Sequence, residues 1–165
     1  MPEIDEELVQ ASWKETARFS APEARSEIEA LGNNQPDLLA FVSRYLDDVS
    51  AEAKELGVYL LLVIYRMFDK AGRKERKQVS AEQVSDAYNR NEALLMRLEG
   101  AHDRFYERAA TASQPHVMKY LVDALTQFGE APGDATLDEE EIATLFLVLK
   151  AAVDALDEAT RGGRR

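Results

Sequence analysis

The sequence predicts an all-α protein, a bundle of about six to eight helices. Most of its 165 residues fall in segments whose apolar side chains recur at every third or fourth position, which is the spacing of one helix face. Residues that favour the start of a helix precede several of these segments. No segment shows the sustained apolar–polar alternation, rich in β-branched side chains, that is typical of a strand.

The first half of the chain predicts four helices. They span about residues 4–19, 20–32, 36–48 and 50–72. Ser20 and Glu23 have the spacing of a capping box, in which each side chain accepts a hydrogen bond from the backbone N–H of the other residue. Pro36 suits the first turn of the third helix. Ser50 is the predicted cap of the fourth helix, and Gly72 is the glycine predicted to end it.

The second half predicts three more helices. They span about residues 80–112, 115–128 and 136–159. Ser80 with Gln83, and Thr136 with Glu139, have the spacing of capping boxes. Gly100 is the weakest point of the long first helix, because glycine is unfavourable in a helix interior.

Two segments of the chain resemble each other. Residues 35–46, "QPDLLAFVSRYL", and residues 114–125, "QPHVMKYLVDAL", both begin with Gln-Pro and continue with apolar residues at matching positions. An acidic helix start and an apolar helix follow each of them. We therefore predict an internal repeat of residues 3–71 and 81–159, with the two similar halves packed about a pseudo-twofold axis.

The repeat suggests a simple domain organisation. One α-helical domain is predicted over residues 1–160, with the basic segment 73–77 connecting its halves. Residues 161–165, "RGGRR", are predicted to form a disordered tail.

The most apolar segment of the chain runs from Leu56 to Phe68. It is too short for a membrane span, which needs about 20 apolar residues. Glu55 and Asp69 bound it, and Arg66 interrupts it. A helix that is apolar on all sides is typical of the centre of a bundle. We therefore predict a core helix and no membrane association.

Composition narrows the classes of function. The 31 acidic and 20 basic residues give a net charge of -11, which disfavours nucleic acid as a partner. The chain has no cysteine, so it cannot form a disulfide or a thiolate metal site. The start, "MPEIDEEL", lacks the features of a secretory signal. We expect a cytoplasmic protein that has no cofactor.

Few residues suggest chemistry. Asn91 and His102 lie on an otherwise apolar helix face and are expected to hydrogen-bond neighbours in the core. Glu99 precedes His102 at the Glu-x-x-His spacing of helical metal centres, but a second such motif is missing. A mononuclear site of Glu99, His102 and Asp103 is the remaining metal hypothesis. No nucleophile elbow or phosphate-binding loop occurs in the sequence, so we favour a protein that is not an enzyme.

Arg66 is the unusual residue of the apolar helix. Its guanidinium must either reach water or pair with a carboxylate, and we expect it to reach water. Lys150 interrupts the last helix in a comparable place, which suggests that one face of each helix reaches the surface.

Three functions follow from these patterns. The leading hypothesis is a non-catalytic helical protein that acts through contacts with a protein partner or through self-association. The alternative is a small-ligand-binding bundle with a pocket lined by Tyr59, Tyr65, Arg66 and His102. The third is a metal-dependent enzyme that uses Glu99 and His102.

Overall fold

The computed structural model describes residues 3–71, 78–97, 114–130 and 137–162. These residues form seven α-helices, and no strand occurs among them. The helices are α1 (Glu6–Ala17), α2 (Ala21–Asn34), α3 (Pro36–Tyr45), α4 (Ala51–Lys70), α5 (Ala81–Arg97), α6 (Pro115–Glu130) and α7 (Glu139–Gly162). The predicted all-α bundle of six to eight helices is therefore confirmed.

Two predicted capping boxes are present. The Glu23 backbone N–H donates to Ser20 Oγ at 3.2 Å, and the Ser20 N–H donates to Glu23 Oε1 at 3.1 Å. Ser80 and Gln83 exchange the same pair of bonds at 3.1 and 2.9 Å. Ser50 caps α4 as predicted, since its side chain accepts from a backbone N–H in the first turn. These bonds satisfy N–H groups that a helix start leaves without intrahelical partners.

The last helix begins differently from the prediction. Asp138 and Glu141 form its capping box, with bonds of 2.8 and 3.3 Å, in place of Thr136 and Glu139. Asp138 and Glu141 are three residues apart, like Thr136 and Glu139, so the capping box lies two residues later than predicted. Thr136 itself lies outside the described residues.

Other helix ends also differ from expectation or lie beyond the described ranges. α3 ends at Tyr45, three residues before the predicted end. α7 continues to Gly162, two residues into the segment predicted as a tail. Gly72, the predicted connector 73–77 and the part of the predicted helix 80–112 that follows Arg97 lie outside the described residues.

The centre of the bundle is built by α4 and α7. Every α4 residue from Leu60 to Met67 except Arg66 is buried, and so is the α7 segment from Leu145 to Val153. This confirms that the apolar segment is a core helix. Within the described residues, no helix is both long and apolar enough to cross a membrane.

Gly57 lets the two central helices approach closely. A Cβ atom at this position would lie 2.8 Å from Leu145 Cδ2 and would also collide with the Leu46 side chain. Gly57 and Leu145 are equally far from the starts of their helices, and the Ser50 N–H at the start of α4 donates to Glu141 in the first turn of α7 at 2.8 Å. The two helices therefore start at the same end of the bundle and run in the same direction.

The Glu141 carboxylate links the starts of both central helices, and this predicts an acid-sensitive contribution to stability. Its bonds to Ser50 hold the pKa of Glu141 below its ordinary value of 4.5. Because the folded pKa is the lower one, the stabilisation is complete above about pH 4.5 and is lost as the pH falls through the folded pKa. We expect Glu141→Gln to lose less stability than the wild type between pH 6 and pH 3, measured by urea unfolding.

A neighbouring variant controls for the change in net charge. Glu140→Gln removes the same charge from the same helical turn, at an exposed position, and should keep the wild-type pH dependence. Identical pH profiles for the Glu141 and Glu140 variants would contradict the role assigned to Glu141.

Two buried glutamines connect distant parts of the chain. Gln35 Oε1 accepts a hydrogen bond from the Val79 N–H at 2.7 Å, just before α5. Gln114 Oε1 accepts one from the Ile4 N–H at 2.9 Å, just before α1. Each glutamine of the repeated Gln-Pro pair thus holds the residue that leads into the first helix of the opposite half. The repeat and its pseudo-twofold axis stay predictions.

Candidate functional site

A groove of about 550 Å³ lies between α1, α4 and α6. Its volume falls in the range of small-molecule sites, about 300–1,000 Å³. Its floor consists of buried or half-buried side chains from all three helices, namely Val9, Trp13, Leu56, Tyr59, Leu60 and Tyr120. Exposed polar residues form its rim, namely Glu6, Gln10, Lys119, Asp123 and Gln127. An apolar floor below a polar rim suits a ligand with an apolar body and a polar end.

Two aromatic rings line the groove between α1 and α6. The Trp13 and Tyr120 centroids are 6.3 Å apart, and the ring planes differ by 24°, which is within the range of stacked aromatic pairs. Trp13 Nε1 donates to Gln10 Oε1 at 3.2 Å, so the indole is tied to its own helix. The rings offer faces against which a planar apolar group can pack.

The tyrosine hydroxyls of the groove stay protonated at neutral pH. Burial raises the pKa of Tyr120, and the neighbouring Tyr59 raises it further. Burial also raises the pKa of Tyr59. Both residues can therefore donate as well as accept a hydrogen bond.

The charged residues of the groove lie on its exposed rim. Lys119 and Asp123 form an i,i+4 pair at 3.7 Å on α6, and both are largely exposed. His116 Nε2, also part of the lining, lies 3.9 Å from Glu3. An exposed ion pair such as Lys119 with Asp123 contributes little to stability, so these two side chains can reorient toward a bound molecule at low cost.

The structure separates the residues predicted for a ligand pocket. Tyr59 lines the groove. Tyr65 lies in the hydrophobic core, 8% exposed, and neither Tyr65 nor Arg66 lines the groove. His102 lies outside the described residues, as do Glu99 and Asp103. A ligand site that combines the four predicted residues, and a metal site at Glu99 and His102, therefore stay predictions.

Arg66 does not extend freely into water, contrary to our expectation. It pairs with Glu27 of α2 at 2.8 Å and also with Glu15 of α1, and its guanidinium lies 4.8 Å from the Phe19 ring centroid. Lys70 bonds Glu15 at 2.9 Å, and this bond, helped by Arg66, holds the pKa of Glu15 below its ordinary value. The cluster ties α1 and α2 to α4, and the two terminal nitrogens of Arg66 are both engaged.

Lys150 is buried rather than surface-exposed, which corrects the second expectation. Its Nζ bonds the two carboxylate oxygens of Asp154 at 2.7 and 2.6 Å, and only 9% of the lysine side chain is exposed. Asn91 Nδ2 donates to Asp154 at 2.9 Å and to the Ala87 carbonyl at 2.8 Å. The predicted role of Asn91 as a hydrogen-bonded core residue is confirmed.

A second depression, of about 570 Å³, lies between α3 and α5. Its lining residues are Phe41, Arg44, Tyr45, Asp48, Ala81, Glu82 and Ser85. The Tyr45 ring centroid lies 4.5 Å from that of Phe41 and 4.6 Å from that of Tyr88. The lining includes no residue of α7, whereas the floor of the first groove reaches the central helix α4.

Sequence reasoning did not select Trp13, Tyr120 or His116 as site residues. The first two are more than a hundred positions apart, and each fits the apolar face of its own helix. The repeat contains the one sequence feature that points to the groove. Segments 35–46 and 114–125 have similar residues at most apolar positions, but Tyr45 of the first aligns with Ala124 of the second.

Comparisons with known proteins identify no similar protein. A scan against protein-family models finds no matching family, and searches of curated proteins and of solved structures yield no match.

Proposed function

We propose that the protein is a non-catalytic, cytoplasmic binding protein that holds a small, largely apolar molecule in the groove between α1, α4 and α6. The observation that carries this proposal is the groove itself, with its aromatic and aliphatic floor and its exposed polar rim. Trp13, Tyr59 and Tyr120 supply contact area at small entropic cost, because aromatic side chains have few rotatable bonds.

Contacts with a protein partner, or self-association, are the second proposal, and the described surface supports them less. Among the large apolar residues whose side-chain burial the structure describes, only Tyr45 and Met96 are exposed. Stable interfaces usually contain a contiguous apolar core. The net charge of -11 supports a function that does not involve nucleic acid.

The proposal is testable with an intrinsic probe, because Trp13 is the single tryptophan of the chain. We expect some members of a library of aromatic and aliphatic fragments to change Trp13 fluorescence and to raise the melting temperature. A ligand at 100 times its Kd stabilises a protein by about 2.7 kcal/mol. Leu56→Glu should weaken the binding of these fragments at least tenfold, because it places a charge on the floor that the ligand must desolvate.

Met96→Glu is the matched control, since it introduces the same charge at an exposed site on α5. It should bind the fragments as the wild type does. Absence of any fluorescence response, or equal binding by Leu56→Glu, would overturn the proposal. A solution mass of twice the 18.5 kDa chain that Leu56→Glu reduces to one chain would also overturn it, because the groove would then be an interface between copies.

A further inference from the structure

The groove and the depression between α3 and α5 occupy corresponding places in the predicted repeat. The lining residues of the groove and of the depression can be compared one by one. For this we align α1 with α5 by matching Asp5 with Ser80, and α3 with α6 by matching Gln35 with Gln114. Six of the seven residues that line the depression then have a counterpart in the groove lining. Glu82 is the one exception. Agreement of this extent between separate surface features supports a common origin of the two halves.

The aromatic side chains at the two places also correspond. Trp13 and Tyr88 each lie eight residues after the aligned cap positions, and Tyr120 and Phe41 each lie six residues after the aligned glutamines. Trp13 stacks with Tyr120 at 6.3 Å, and Tyr88 contacts Phe41 at 6.0 Å. Each half therefore places one aromatic residue of its first helix against one from the Gln-Pro helix of the other half.

The two places differ in one large side chain. Tyr45 packs against the rings of Phe41 and Tyr88, of which Phe41 lines the depression, and its counterpart in the groove lining is Ala124. Tyr45 lines both the depression and a separate recess that reaches Glu140 and Thr144 of α7. Ala124 instead lies in one continuous groove that reaches Leu56, Tyr59 and Leu60 of α4. The groove and the depression have similar volumes, about 550 and 570 Å³, so they differ in shape: at Ala124 no ring of α6 stands against the aromatic pair, as Tyr45 does in the other half.

From this correspondence we propose that the ligand of the groove is a small molecule with a single phenol-like ring, which takes the place that Tyr45 fills in the other half. The inference rests on the proposed binding function and adds the chemical class of the ligand. The ring packs against Trp13 and Tyr120, as the Tyr45 ring packs against Tyr88 and Phe41. Its polar substituent reaches the exposed rim, as Tyr45, 37% exposed, reaches the surface.

The test uses 4-methylphenol, which is the tyrosine side chain as a free molecule, and maps its binding by amide chemical-shift changes on the full chain. The wild type should show changes around α1, α4 and α6 only. Ala124→Tyr should bind at least tenfold more weakly, because the new ring fills the groove. Tyr45→Ala should keep the groove site and gain a second site between α3 and α5.

Further outcomes separate this inference from the proposed function. 4-Methylcyclohexanol has a similar size without an aromatic ring and should bind at least tenfold more weakly than 4-methylphenol. If library fragments bind the groove but the two probes bind equally, the phenol-like class is wrong and the binding function stands. If Tyr45→Ala folds and gains no second site, the correspondence is wrong. If Tyr45→Ala does not fold, Ala124→Tyr decides alone, and undiminished binding of 4-methylphenol overturns the inference.

Discussion

Replacement of Asp154 by alanine is expected to destabilise the protein by about 3 kcal/mol, the lower end of the cost for a buried ion pair that loses one partner, because the Asp154 side chain is itself 20% exposed. The stranded group is the Lys150 ammonium, which has two bonds to Asp154 and a side chain that is only 9% exposed. Asn91 would also lose its bond to Asp154. Urea unfolding at pH 7 measures the loss.

The chain contains a matched exposed pair for comparison. Lys119 and Asp123 have the same i,i+4 spacing on α6, with side chains 71% and 55% exposed. Asp123→Ala should cost less than about 1 kcal/mol. The double substitution Lys150→Met with Asp154→Leu should recover most of the stability, because neither charge remains buried. Equal costs for the two aspartate variants would contradict the role assigned to the buried pair.

The sequence predicted most reliably what depends on neighbouring residues. Ser20 with Glu23, and Ser80 with Gln83, are three positions apart and bond as the pattern required. The last capping box was misplaced because Thr136 with Glu139 and Asp138 with Glu141 match the same motif. Only the packed structure selects between them, since Glu141 also accepts the Ser50 N–H.

The sequence failed where a partner comes from a distant segment. Arg66 was expected to reach water, yet its carboxylate partners are 39 and 51 positions away. A helical pattern identifies the apolar faces but not which acidic residue lies opposite a cation. The groove was missed for the same reason, because its lining comes from three helices.

Replacement of a buried glutamine of the repeated Gln-Pro pair is the second change expected to have a large effect on stability. Gln114 accepts the Ile4 N–H at 2.9 Å and donates to Asp157 Oδ1 at 3.0 Å, and all three residues are buried. Gln114→Leu should destabilise the protein by about 2–3 kcal/mol, because a buried N–H group is left unsatisfied and a carboxylate loses a donor. Urea unfolding measures this cost, and the Ile4 amide should exchange its hydrogen faster.

Gln35→Leu is the counterpart in the other half and should cost about 1–3 kcal/mol, with faster exchange at the Val79 amide. Gln127→Leu, at an exposed position on α6, should change stability by less than about 0.5 kcal/mol. Each buried glutamine holds the entrance to the first helix of the opposite half, so each variant should loosen the start of one helix and leave the other start protected. Equal loss of protection at Ile4 and Val79 in both variants would show general destabilisation and would contradict these two separate roles.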